Sequence, residues 1–154
     1  MCGYKLHLNS HGRGKGLAIY SKEDLFQHVF DINKPNLQIT KMSTEQTDII
    51  IVYRSQEENF RSVKNDIEPL INLNKTTLIV GDLNYCAKSG RNELSEYFQE
   101  TKFTQLVTEA THIKGAVLDH VQFRGNQDST PFVEGYPAYY TYDDHDIITV
   151  LLEE

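Results

Sequence analysis

The chain has 154 residues, 39% hydrophobic and 24% charged, a balance that fits one globular domain over 1–154. Its net charge of −7 gives no whole-chain basic footprint for nucleic acid, although a local patch or a metal-bridged phosphate can still carry that contact. No apolar run approaches the ~20 residues of a membrane span, no signal peptide opens the chain, and Cys2 and Cys86 stand far apart without a Cys-x-x-Cys. A disulfide framework or zinc knuckle is therefore not expected, and an intracellular setting, nuclear or cytoplasmic, is.

In chain order, residues 4–8 alternate as a half-buried strand does, and a Gly-rich run from Ser10 to Gly16 leads into a second strand over 17–20. Those glycines lack the Gly-x-Gly-x-x-Gly spacing and precede no helix, so a hairpin loop is a better reading than a phosphate cradle. Residues 24–31 show no period, and Pro35 closes that connection. Two strands follow, over 37–41 and 48–53, and the second is nearly all β-branched, as central strands are. Tyr53 and Arg54 stand at its end, where functional groups gather in open sheets; Tyr53 reads equally as a core-edge aromatic.

Ser55 and Glu58 have capping-box spacing, and Phe60, Val63, Ile67, Leu70 and Ile71 mark one apolar helical face that Pro69 cuts short. Residues 76–84 then read as a buried strand ending in a polar tip. Leu78, Ile79 and Val80 supply the apolar run, Gly81 admits a close neighbour, and strand period sends Asp82 and Asn84 to one side. That pair suits a metal-assisted or water-activating site, or equally a surface turn. A loop over 85–91, a short helix over 92–101 and a turn over 111–115 lead to a strand over 117–123. Asp119 shares the apolar face of that strand with Val117, Val121 and Phe123, so it needs a partner from elsewhere. Residues 126–135 read as a loop. Tyr136, Tyr139, Tyr140 and Tyr142 crowd before Asp143-Asp144-His145-Asp146, and a last strand spans 147–152.

Three polar tips result: Asp82 with Asn84, Asp119 with His120, and Asp144 with His145. Together they supply oxygen ligands, a water-orienting pair and an Asp–His couple, the inventory for hydrolysing a phosphodiester. In order and spacing, Gly81-Asp82-Leu83-Asn84, Leu118-Asp119-His120 and Asp143-Asp144-His145 before a final strand resemble signatures of the endonuclease/exonuclease/phosphatase superfamily, the DNase I-like proteins. Thr111-His112-Ile113-Lys114-Gly115 followed by Leu118-Asp119-His120 is similar to the endonuclease-like domains of mobile elements, both retroelement and Helitron-type.

The resemblance implies an α+β fold: a four-layer sandwich of two mixed sheets packed face to face, with helices outside. It implies that His145 contacts the scissile phosphate, that Asp119 holds His145, and that Asp82 orients or activates the attacking water beside Asn84. It further implies substrate contacts from Tyr53, Arg54 and Asn84, and a Mg²⁺ or Mn²⁺ ion held by Asp144 and Asp82. The implied partner is DNA or another phosphodiester, with no membrane.

Two departures stand against this pattern. Asp143 replaces the usual Ser, and the upstream strands bearing an Asn and a metal-binding Glu have no counterpart; Glu23 and Glu45 sit in the wrong contexts. The expectation is a domain matching the C-terminal two-thirds of the family's fold. It would hold its ion weakly, show impaired activity and expose an apolar sheet edge prone to self-association. A phosphatase of the same fold, acting on a phosphomonoester, inositol phosphate or nucleotide, is the alternative enzyme. A non-catalytic binding remnant is the third reading, against which Asp82, Asn84, Asp119 and His145 all stand intact.

Overall fold

The computed structural model describes residues 3–13, 15–22, 25–136 and 144–151. A first hairpin joins β1 (Tyr4–Ser10) to β2 (Gly16–Lys22). The chain then lays down β3 (Gln27–Lys34), β4 (Leu37–Ser43) and β5 (Thr47–Arg54), and crosses through α1 (Phe60–Ile67) to β6 (Thr76–Asp82). It continues through α2 (Glu93–Glu100), β7 (Thr104–Gln105) and β8 (Asp119–Arg124) to a second antiparallel pair, β9 (Phe132–Tyr136) and β10 (Ile147–Leu151).

Strands β3 to β8 form one mixed sheet in the order β3-β4-β5-β6-β8-β7. Only β5 and β6 run parallel, and a parallel pair needs a crossover, which α1 supplies. On the helix side, Ile39, Ile50, Val52 and Ile79 of the sheet pack with Val63, Ile67, Leu94 and Phe98. On the other side, Leu78, Val121 and Phe123 meet Ile148 and Val150 of β10, while Ile19 of β2 shares a cavity with Met42 and Ile51. Both two-stranded pieces therefore cover the face opposite the helices. Helices, a six-stranded sheet and a divided second sheet give the α+β sandwich; among the described residues no helix lies outside the second sheet.

Several elements differ from the sequence reading. The segment without a period holds the first part of β3, an edge strand whose alternation is broken by a register shift between His28 and Phe30. The cap of α1 is Asn59, whose side chain accepts from Ser62 N, rather than Ser55. The loop expected over 126–135 holds the start of β9. The first hairpin is turned the other way from a half-buried strand with its apolar residues inward. Tyr4, Leu6 and Leu8 face outward while Asn9 is buried, its Nδ2 donating to Ile39 O at 2.9 Å and Ile32 O at 3.0 Å. Tyr139, Tyr140, Tyr142, Asp143 and Leu152 lie outside the described residues.

Candidate active site

At one end of the six-stranded sheet, β6, β8, β10 and the segment around Thr111 converge. The register pairs Leu78 with Phe123, Val80 with Val121 and Asp82 with Asp119, so the two acids face each other on the side away from the helices. Gly81 lets β6 come close to β5 on its other edge. Its φ is +133°, and a Cβ there would stand 2.0 Å from Val52 O of the neighbouring strand, so no other residue fits.

Past Asp82 the strand ends, and Asn84 reaches the same place by a turn rather than by strand alternation. It adopts φ +50°. Its backbone N–H donates to Asp82 Oδ1 at 2.8 Å, and its Nδ2 donates to Asp82 Oδ2 at 3.1 Å and Arg54 O at 2.8 Å. The partner that Asp119 requires is His145: Nδ1 lies 2.8 Å from Asp119 Oδ2. With Nδ1 committed, Nε2 is the ring atom left to serve a substrate.

Thr111 and His112 lock these pieces together. Thr111 Oγ1 accepts from the N–H groups of Leu118 and Asp119 at 3.0 and 3.1 Å. Asp146 N donates to Thr111 O at 2.7 Å, and Ile113 N donates to Asp144 O at 3.0 Å. The His112 ring stands edge-on to His145 at 5.0 Å, with Nε2 3.3 Å from Asp144 Oδ2. In sequence His112 read only as part of a turn; the nearest signal was its place in the run Thr111 to Gly115.

The charges shape one another. Burial depresses the basicity of His145, but its hydrogen bond to Asp119 and the charges of Asp119, Asp82 and Asp144 outweigh that, so its pKa lies above the ordinary 6.5. Burial raises the Asp82 carboxyl, and Asp119 opposite adds to this. The Asn84 N–H, His145 and His112 only partly offset it, leaving Asp82 above the ordinary 3.8.

Arg54 sits differently from the substrate contact expected of it. It is 4% exposed. Nε donates to Glu58 O and Nη1 to Leu83 O, each at 2.8 Å, and the guanidinium lies 4.2 Å above the Phe60 ring. It braces the 83–84 turn from behind. Tyr53, half-buried, shares by alternation the face of Ile49 and Ile51, the face that carries the two acids. His120 turns to the helix side: buried, it meets Tyr85 O through Nε2 at 3.0 Å, and burial keeps it neutral.

His112, Asp144 and His145 each offer a ligand atom, all within 4.8 Å of one another. Carboxylates at Asp82, Asp119 and Asp144 supply hard oxygens, and Mg²⁺ needs only one or two of these together with substrate phosphate. The donor set therefore fits a divalent cation, with the imidazoles favouring Mn²⁺ or a later transition metal.

This architecture has close counterparts among solved structures. All of this chain superimposes on 81% of the endonuclease domain of TRAS1, a telomere-specific non-LTR retrotransposon, with a TM-score of 0.62 and 13% identity. The fold is DNase I-like. An endonuclease/exonuclease/phosphatase family protein from Leptotrichia buccalis C-1013-b agrees, with a TM-score of 0.63 at 17% identity over 98% of this chain and 72% of that one. No protein-family model and no curated protein matches the sequence. At such identities the likeness carries the DNase I-like fold, and chemistry must be argued from side chains.

Proposed function

We propose that this chain is a divalent-metal-dependent phosphodiesterase of the endonuclease type, with nucleic acid as the substrate class and a mobile element as its source. The observation that carries the reading is the Asp119–His145 pair at 2.8 Å, placed beside the Asp82–Asn84 turn on one face of the sheet. His145, oriented by Asp119 through Nδ1, donates through Nε2 to the phosphate and neutralises charge developing there. Asp82, with its raised pKa, orients the attacking water and takes up its proton. Tyr53 contacts a phosphate oxygen, whereas Asn84, whose Nδ2 already donates to Asp82 Oδ2 and Arg54 O, serves the site by holding the Asp82 carboxylate in place. A cation held by Asp144 and Asp82 would supply further charge neutralisation at the phosphate.

Among the described residues no glutamate joins this group, so the ion is held loosely and turnover is slow. The test is nicking of supercoiled plasmid by the purified chain with millimolar Mg²⁺ or Mn²⁺. Slow, chelator-sensitive nicking is expected, lost in His145→Ala and reduced on the order of 10²-fold in Asp119→Asn. Nicking by His145→Ala at the wild-type rate would defeat the proposal. The net charge of −7 favours a small phosphate over a polyanion. Release of phosphate from a nucleotide or inositol phosphate, without nicking, would assign the same site to a phosphatase.

A further inference from the structure

Away from the candidate active site, the first hairpin meets edge strand β3 through polar side chains. The face of β1 turned toward the sheet carries His7 and Asn9, whereas Leu6 and Leu8 are exposed. Across from them, His28 and Asp31 lie three residues apart on β3. In a regular strand that spacing sends side chains to opposite faces. The bulge between His28 and Phe30 adds one residue and brings both to the same side.

His7 Nε2 and His28 Nε2 then lie 2.9 and 3.2 Å from one oxygen, Asp31 Oδ2, and the two rings stack at 4.2 Å. Asp31 Oδ1 is held from behind by Thr40 Oγ1 at 2.7 Å, the kind of supporting hydrogen bond that orients a metal-binding carboxylate.

We propose that His7, His28 and Asp31 form a second metal site, one that takes a zinc-type divalent transition ion and clips the β1–β2 hairpin to β3. The three ligand atoms lie within 4.8 Å of one another. Tetrahedral zinc with nitrogen and oxygen ligands near 2 Å places those ligands about 3.3 Å apart. A small splay of the stacked rings meets that spacing. Two imidazoles and one carboxylate select zinc-type ions over Mg²⁺ or Ca²⁺, which prefer all-oxygen sets. Side chains 27%, 41% and 31% exposed leave the site open to an ion from solvent, with a coordination position free for water.

The test uses tag-free chain stripped with chelator and titrated with Zn²⁺ against a chromophoric competitor, with Co²⁺ absorption as a second readout. Because His112, Asp144 and His145 can also bind zinc, the titration is run in a His112→Ala/His145→Ala background. One equivalent of Zn²⁺ should still bind there and raise the melting temperature. Both effects should be lost, with affinity down at least about tenfold, in His28→Ala and Asp31→Asn. His28 is the more exposed ligand, so His28→Ala keeps the fold, checked by circular dichroism. No binding at 100 µM Zn²⁺, taken as a ceiling on the order of a useful site, or binding unmoved by His28→Ala, would overturn the proposal. Neither readout depends on nicking, so failure here leaves the nuclease reading standing.

Discussion

The structure disfavours the ionised form of Asp82. It is half-buried at the end of β6 and directly opposite Asp119, and both facts raise its pKa. Between the ordinary 3.8 and the raised folded value, the native state binds more protons than the unfolded chain. Stability therefore falls as pH climbs through that window, and at neutral pH the ionised carboxylate carries the whole loss. Asparagine keeps an acceptor for the Asn84 N–H and removes the charge. Asp82→Asn should melt higher than wild type at pH 7, with the difference vanishing below about pH 4, while nicking is abolished. A variant that melts lower at pH 7 would show that the hydrogen bonds to Asp82 outweigh its repulsion by Asp119.

At the level of elements, the site depends on how the 83–84 turn is held against β5. Arg54 holds it, spanning Glu58 O, Leu83 O and Asn84 O while it covers Phe60. Removing that side chain strands buried carbonyls and opens a void, so Arg54→Ala should cost about 3 kcal/mol in urea unfolding. Arg54→Lys should recover only part of this, because a point charge cannot span three acceptors. A loss under about 0.5 kcal/mol for Arg54→Ala would make the brace ornamental. In sequence Arg54 read as a substrate contact, since a strand-end arginine gives no sign of which face it takes. The central strands β5 and β6 were legible from their unbroken apolar, β-branched runs, and both helices and β8 because their apolar residues recur at the period of the element. β3 was not, because it lies at an edge and its bulge destroys the period. Asp82, Asn84, Asp119 and His145 could be found from spacing and resemblance. His112 could not, since what ties it to Asp144 and His145 is one bridge between segments far apart in the chain.

At the scale of the whole molecule, apolar surface among the described residues is exposed on the side that carries the site. Between the sheet and the two strand pairs runs a groove of about 1120 Å³ lined by Ile49, Leu78, Val80, Val121 and Ile148, with Asp119 at its edge. The outer face of the first hairpin adds Tyr4, Leu6, Leu8 and Tyr20, 54%, 50%, 62% and 66% exposed, with Leu6 paired across from Tyr20. Burying a large apolar side chain is worth about 1.5–3 kcal/mol, and association itself costs about 4–15 kcal/mol. Four such residues per copy, already about half covered, gain only about half of that each on association, which supports a reversible dimer through the hairpin faces. Salt distinguishes this from an ion-paired dimer. Two chains of charge −7 repel, and screening removes that repulsion, so self-association should strengthen between about 0.05 and 0.5 M NaCl. Light scattering across a concentration series checks it. The double variant Leu6→Lys/Leu8→Lys should stay monomeric where wild type dimerises. A wild-type chain that remains monomeric at high salt, or dissociates as salt rises, would place the exposed apolar residues outside any contact between copies.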